Sequence, residues 1–467
     1  MSDLWSVAEE GEGMRISVIG GSGYVGFITG LGFAELGNDV VNVDIAADKV
    51  SMISGGKSPI YEEGVDLDDV LRRNLEVGRI RFTTDLEEGM RHGEVVFVAV
   101  GTPQRTDGEA DLSQVIGVAE EIGQYLNEYK VLVMKSTVPV GTLDIVCSII
   151  KRTRREGEEF DVASNPEFLR EGKGLYDFFH PSRIVVGTSA ERARAMLRDL
   201  YGPFLVAKAQ GSSQPTSGYA PRPSTPLLET DIASAQMIKY ASNAFLATRV
   251  SFVNEIASVC ESVGANVLDV VQGMGYDERI GAHYLNPGPG FGGPCLEKDI
   301  KALIALASNY GYDAAFLRSV LRRNEAQLES ILQRVKALAG YPLYRKKIAL
   351  LGLAFKAGTN DVRTSLSVRI LDELVRQGVD VAAHDPVAME EARAIYPEVA
   401  YHADVYGAAE GASVLVLMTE WPEYMELDFR EIAGRMDSPN IVDTRNLLDP
   451  ALLRRIGFKY VGMGVAS

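Results

Sequence analysis

The stretch Arg15-Ile16-Ser17-Val18-Ile19-Gly20-Gly21-Ser22-Gly23-Tyr24-Val25-Gly26 runs from a short β-branched segment into glycines spaced GxGxxG (Gly21, Gly23, Gly26). A second such segment, Val40-Val41-Asn42-Val43, ends in Asp44, eighteen residues beyond Gly26. Glycines permit a tight turn and let backbone N–H groups and a helix N-terminus approach a pyrophosphate, while a terminal carboxylate can accept from both ribose hydroxyls. Strand, glycines, helix, strand and acid in that order predict a dinucleotide site, with Tyr24 and Val25 among its contacts. Asp44 repels a 2′-phosphate and so favours NAD over NADP; nearby Lys49 is the one basic counter-signal. Gly101-Thr102-Pro103, after a third apolar run, falls at the carboxyl edge of the expected sheet, where ligands bind in such folds.

Outward from this motif, continuous apolar runs (Val95 to Val100, Val131 to Ser136, Arg183 to Gly187) alternate with amphipathic helical patterns. That is the grammar of a parallel sheet covered on both faces, and it predicts a doubly wound domain over residues 14–208. The polar, glycine-punctuated segment 1–13 is expected to fray. Ala209 to Leu227 holds four prolines, four serines and two glycines without an apolar period, which reads as a linker or surface loop over 209–228. From Thr230 to Glu261 apolar residues recur at helical spacing, and further helical patterns at Asp299 to Tyr310 and Ala315 to Ala339 make 229–340 a helical middle. At Lys346 the opening grammar returns: apolar runs begin at Lys346, Val379, Val414 and Asn440, with a helix from Ser365 to Gln377. The expected fold class is α/β, two doubly wound Rossmann-like domains (the second over 341–467) joined by a long-helix α domain.

The chain has 467 residues, 46% of them hydrophobic, with 47 Lys+Arg against 64 Asp+Glu for a net charge of -17. Binding a polyphosphate backbone or an anionic membrane needs a field of cations, so no nucleic-acid or membrane partner is expected. No apolar run approaches the roughly 18 residues of a spanning helix, and the start lacks a basic segment followed by an apolar core, so a cytoplasmic location is expected. Three cysteines without a CxxC pair and five scattered histidines predict no metal.

One loop carries chemistry. In Gly288-Pro289-Gly290-Phe291-Gly292-Gly293-Pro294-Cys295-Leu296-Glu297-Lys298-Asp299 the glycines let backbone approach a ligand, and the helical pattern that follows puts Cys295 near a helix N-terminus, where thiolate is favoured. Asp299 shares its face one turn on, and Lys298 adjoins it. Cys147 and Cys260 sit inside apolar helical patterns and read as inert core residues. Lys239 and Asn243, spaced i,i+4 on the long helix, present two oxyanion donors on one face. Glu167, in Ser164-Asn165-Pro166-Glu167, follows a short strand and Glu171 lies four residues on; Lys135-Ser136-Thr137 ends the preceding strand in the same way. Carboxylates so placed can accept protons.

With these residues assembled, the chain resembles the nucleotide-sugar 6-dehydrogenases, most closely those acting on UDP-glucose. The resemblance covers roughly Met14 to Met463 and rests on GGSGYVG, VGTP, KSTVPVGT, SNPEFLREG, PSRIVVG, MIKYASNAFLATRVSFVNE, RIG, GFGGPCLEKD, GLAFKAGTNDVRTS, HDP, TEW and DTRN. It implies two NAD-linked oxidations of a sugar C6 alcohol to a carboxylate through a thiohemiacetal and a thioester on Cys295. It implies Lys239 and Asn243 at the oxyanion, Asp299 as base or water orienter beside the thiol, and Thr137 with Glu167 in proton transfer and water positioning. By the same resemblance Glu171, Arg279 (from a neighbouring subunit), Phe291, Gly292, Gly293, Lys298, Lys356 and Arg445 contact the UDP-sugar. Thr137, Glu171, Lys298 and Arg363 lie at the cofactor, no metal is needed, and the enzyme is a homodimer or larger. Pro294 and Glu297 depart from the family's usual serine and proline, and the 209–227 insertion is long. N-acetylated UDP-sugars and GDP-mannose are the alternative substrates. A two-electron hydroxyacid-type dehydrogenase would need neither the thiol nor residues 346–464. A non-catalytic nucleotide-sugar binder would keep the fold, but no catalytic group is missing here.

Overall fold

The structure, a computed structural model, describes residues 13–206 and 220–465. Nearly all of the segment expected to fray, and the first part of the expected linker, lie outside the described residues. The chain divides into two compact units, residues 1–239 and 240–467, with the boundary inside the helix Ile232–Val263.

The first unit is built on β1 (Arg15–Ile19), β2 (Asp39–Val43), β3 (Ile80–Thr83), β4 (Val95–Val98), β5 (Lys130–Met134), β6 (Phe160–Ser164), β7 (Ile184–Gly187) and β8 (Leu227–Thr230), in spatial order β3-β2-β1-β4-β5-β6-β7-β8. The first six strands have the order of a dinucleotide-binding sheet, reversing direction of travel between β1 and β4. Alternation along the strands explains the continuous apolar runs. Ile16, Val18, Val95, Phe97, Val131 and Val133 belong to one core cluster, whereas Ile19, Val96, Val98, Leu132 and Met134 belong to another. Successive side chains enter opposite faces, and helices cover both.

Two features differ from the sequence reading. The sheet is not wholly parallel: β6 and β7 pair antiparallel, with Ser164 opposite Gly187. An apolar run signals burial on both faces but carries no information on strand direction. The end of the stretch read as a linker is also part of the sheet, since Leu227 and Leu228 pair in parallel with Ile184 and Val185. Thr225 N donates to Phe204 O at 2.9 Å just before it. Like β3, this strand is partly exposed, so it lacks the continuous apolar signature of its neighbours.

The second unit holds β9 (Lys347–Leu351), β10 (Asp380–His384), β11 (Ala400–Tyr401), β12 (Val414–Leu417), β13 (Asn440–Asp443) and β14 (Lys459–Val461), all parallel, in order β11-β10-β9-β12-β13-β14. It repeats the strand order of the first six strands of the first sheet. Ile331, Leu332 and Val335 of the helix Ala315–Ala339 join this sheet's core cluster, so the end of that helix packs against the second sheet. A smaller cluster of Ala244, Ala247, Phe291, Ile300, Ile304 and Val320 ties the long helix to the glycine-rich loop and to the helix Leu296–Asn309 that follows it.

The two sheets use their second-strand acid differently. Asp385, just past β10, is fully buried; its Oδ2 accepts from Leu353 N (2.6 Å), Ala354 N (3.1 Å) and Trp421 Nε1 (3.2 Å), and its Oδ1 from Val387 N and Ala388 N. Both oxygens are saturated from within, so this carboxylate closes its loop instead of meeting a ribose.

Candidate functional site

In the first unit the loops that leave β1, β2, β4, β5 and β6 lie side by side along the carboxyl edge of the sheet, by the strand order itself. The helix Tyr24–Glu35 starts at Gly23 with no side-chain cap and no acidic residue in its first turn, so its N-terminal N–H groups and dipole suit an anion. A Cβ built on Gly26 would stand 2.1 Å from Gly20 O, and one on Gly21 would stand 2.6 Å from the Asn42 side chain. Only glycine fits at either place, and the loop is pressed against the sheet as pyrophosphate binding requires. Asp44 Oδ2 accepts from Ser22 N (2.9 Å) and Oδ1 from Ala46 N (3.1 Å). Each carboxylate oxygen keeps a second lone pair, so the fixed carboxylate can still accept from ribose hydroxyls. These residues fit a bound NAD. Lys49 is exposed on the helix Ala47–Ser54.

Tyr24 has a partner that the sequence reading did not supply. Its hydroxyl donates to Glu62 Oε1 (2.8 Å) and lies 2.9 Å from Arg170 O, while the buried Glu62 carboxylate also accepts from Gly174 N (2.5 Å) and Leu175 N (3.1 Å). Burial, then the neighbouring Glu62, pushes the Tyr24 phenol well up, and the half-buried Glu171 adds to the shift. Glu62 therefore clasps the dinucleotide loop to the segment after β6.

The next loops are stitched together. Thr102 Oγ1 donates to Thr137 O (3.0 Å), Ser136 Oγ to Val100 O (2.6 Å), and Gly101 N to Gln114 Oε1 (3.1 Å); Pro103 O accepts from Asp111 N (2.8 Å). Beyond them Glu167, 9% exposed, accepts from Lys239 Nζ at 3.0 Å and from Leu169 N at 2.5 Å. Burial alone would raise the Glu167 carboxyl, but the Lys239 ammonium, aided by its own hydrogen bond, holds it below the usual carboxylate range. Lys239 is itself 5% exposed and stands 5.4 Å from the Phe168 ring centroid. Lys239 thus has a fixed counter-ion.

In the second unit Cys295, an exposed residue, occupies the N-cap of the helix Leu296–Asn309, its carbonyl accepting from Asp299 N at 2.9 Å. Asp299, one turn on, is 1% exposed; its Oδ2 accepts from Asn243 Nδ2 (2.6 Å) and its Oδ1 from Lys298 Nζ (2.8 Å). Asn243 therefore spends one amide N–H on Asp299, leaving the other as the donor the sequence reading assigned to an oxyanion.

The glycine-rich loop is gripped by residues that sequence reasoning missed. Asn324 Oδ1 accepts from Phe291 N (2.8 Å) and its Nδ2 donates to Phe291 O (2.9 Å); Gly288 is held by Asn254 Oδ1 and Gln327 Nε2, and Gly293 O by Thr364 Oγ1 (2.6 Å). Gly293, at φ +82°, would drive a Cβ to 2.7 Å from the Phe355 ring, and Gly292 one to 2.9 Å from Thr364 O. A signal existed: Asn324 and Gln327 fall on the stripe Val320, Asn324, Gln327, Ile331, where polar residues facing a core need partners.

The remaining cations are placed as follows. Arg445 donates to Met418 O (2.7 Å) and pairs with Glu420 (3.0 Å), and Lys356 lies 5.7 Å from the Phe355 ring centroid. Arg363 pairs with Asp361 and Arg279 with Asp277, each two residues back, and both arginines are exposed. Cys260 is buried and Cys147 half-buried, the Cys147 thiol pushed up by burial. Among the described residues no group of three or more His, Cys, Asp or Glu could hold a metal ion, and no helix is long and apolar enough to cross a membrane.

Three domain descriptions match along the chain: the NAD binding domain of the UDP-glucose/GDP-mannose dehydrogenase family at residues 14–205, its central domain at 233–326 and its UDP binding domain at 349–450. The chain is 44% identical to a UDP-glucose 6-dehydrogenase of Pseudomonas aeruginosa, over 97% of each, and 41% identical to one of Bacillus subtilis, over 96% of this chain and 93% of that one. Among solved structures, a UDP-glucose dehydrogenase from Pyrobaculum islandicum superposes with a TM-score of 0.87 at 36% identity, covering 99% of this chain and 100% of that one. A UDP-D-ManNAc dehydrogenase from Pyrococcus horikoshii superposes with a TM-score of 0.81 at 27% identity, covering 97% and 99%.

Proposed function

The chain belongs to the UDP-glucose/GDP-mannose dehydrogenase family, and from that premise we propose that it oxidises UDP-glucose at C6 to UDP-glucuronate, with NAD as acceptor and Cys295 as covalent carrier. The observation that carries the reading is Cys295, exposed at a helix N-cap, one turn before a buried Asp299 that Asn243 and Lys298 lock in place. NAD, held at Gly21, Gly23, Gly26 and Asp44, supplies a hydride acceptor used twice per sugar.

The chain's own residues do the rest. Glu167, ionised beside Lys239, takes the C6 hydroxyl proton directly or through a water that Thr137 helps position. The Cys295 sulfur then adds to the aldehyde carbon, forming an S–C bond while the carbonyl oxygen gains the proton of the thiol, and the product is a thiohemiacetal. A second oxidation leaves a thioester. Water attacks its carbonyl, losing a proton to a carboxylate; the C–S bond breaks, and the thiolate regains a proton as the uronate forms. Lys239 and the second Asn243 N–H stabilise the oxyanion that develops at each addition. Asp299 orients the thiol and the water.

Glu171, Arg279, Phe291, Gly292, Gly293, Lys298, Lys356 and Arg445 are the proposed UDP-sugar contacts. Thr102, Thr137, Glu171, Lys298 and Arg363 are proposed at the cofactor. Arg279, exposed on its own chain, fits a role toward a second copy, so the reading includes a homodimer or larger assembly, in the cytoplasm. Domains at 14–208, 229–340 and 341–467 complete it.

NADH formation with UDP-glucose, UDP-N-acetylmannosamine and GDP-mannose tests the substrate. The expected kcat/KM for UDP-glucose exceeds the others by on the order of 10⁴-fold, the scale on which a site built to hydrogen-bond a substrate group rejects an analogue that lacks it. An equal or higher value for either alternative overturns the assignment.

A further inference from the structure

The turn after β5 contains a residue that the mechanism above does not use. Lys135 is 7% exposed, and its Nζ donates to Asn165 Oδ1 at 3.0 Å and stands 5.8 Å from the Phe97 ring centroid. That acceptor is a neutral amide. Asn165 is itself pinned, its Oδ1 accepting from the Tyr201 hydroxyl (2.6 Å) and its Nδ2 donating to Val185 O (2.8 Å). A buried ammonium bonded to an amide must find its counter-charge further off, because an uncompensated buried charge is costly. The carboxylate that faces it is Glu167, two residues past Asn165 and already bonded to Lys239. Two ammonium groups therefore share one buried carboxylate.

The groups facing Lys135 are Glu167, Lys239 and, through Asn165, Tyr201, whose phenol burial pushes up so that it stays neutral. Glu167 faces both lysines.

We propose that Lys135 is a positioning residue for the oxidation: its charge, acting on Glu167 across the buried cluster, keeps that carboxylate ready to accept a proton in mildly acidic conditions. The inference rests on the reading of Glu167 as proton acceptor. Burial is the chief influence on Lys135 itself and brings it down to about 8, with Glu167 opposing and Lys239 reinforcing the shift. Lys135 is thus charged across the acidic and neutral range, where Glu167 needs support. Burial works against the ionised Glu167, and Lys135 adds to the effect of Lys239 in overcoming it. Removing the second cation removes that share.

The test is the pH dependence of kcat for NADH formation from UDP-glucose in the full-length enzyme. In Lys135→Met the acid limb is expected to move up by roughly one pH unit, the scale on which a nearby opposite charge acts, whereas Lys135→Arg keeps the wild-type limb. A Lys135→Met limb that overlays the wild type, or a Lys135→Arg limb that moves with Lys135→Met, overturns the proposal. A purely structural lysine would lower thermal stability and leave the limb in place. If Lys135→Met does not fold, Asn165→Asp sets a carboxylate on the same Nζ and cancels its field; the same upward movement is expected, and none overturns the proposal. A wild-type enzyme that makes no NADH sinks the underlying reading; an active wild type with unmoved variants sinks the Lys135 inference alone.

Discussion

Replacing Cys295 with serine is expected to leave an enzyme that performs the first oxidation and stalls before the second, so that uronate formation falls on the order of 10³-fold or more, about 4 kcal/mol of barrier. Cys295 is exposed at the N-cap of the helix Leu296–Asn309. A serine there keeps the position and the approximate size but is a far weaker nucleophile at neutral pH. The fold should survive, since the start of that helix is held by Asn243 and Lys298, which both donate to Asp299. Rapid mixing with UDP-glucose, with NADH and uronate measured separately, checks the result. Full uronate turnover by Cys295→Ser would refute the assignment of the nucleophile.

Lys239→Ala is expected to fail in two ways. Loss of an oxyanion donor lowers kcat by roughly 10²–10³-fold, the scale seen when one such donor is removed. The substitution also leaves Glu167, 9% exposed, without the ammonium that bonds it. Breaking a buried pair costs about 3–5 kcal/mol, and the lower end is expected here because Lys135 still faces the carboxylate. Steady-state kinetics and a thermal melt read the two effects separately. A rise in KM with kcat within about tenfold of the wild type would show that Lys239 binds the ground state only.

The sequence carries the fold because local pattern and global architecture agree. The motif Gly20 to Gly26 with Asp44, and the apolar runs of β4, β5, β9 and β12, can be recognised without the structure because buried parallel strands are apolar on both faces. β3 and β8 are not recognisable in this way, being partly exposed, and neither is the antiparallel step at β7, which depends on chain path rather than composition. The second sheet's Asp385 looks like Asp44 in sequence position, and only its five donors reveal that it closes a loop.

Among the proposed site residues, Cys295, Lys239, Asn243 and Asp299 can be singled out in the sequence by their types and spacings. Their immediate partners are not legible. The Glu62 clasp on Tyr24 joins residues 38 apart, and the Asn324 grip on Phe291 joins residues 33 apart. Contacts of that kind follow from tertiary folding, which periodicity cannot report; at most, a polar residue in an apolar stripe, as at Asn324, announces that a partner exists.

Two successive oxidations of one sugar alcohol on a cysteine leave a stoichiometric signature. It is read by counting the NADH formed when a limiting, known amount of UDP-glucose is consumed to completion with NAD in excess. Two NADH per UDP-glucose is the predicted result; one NADH, with aldehyde accumulating, or none would contradict it.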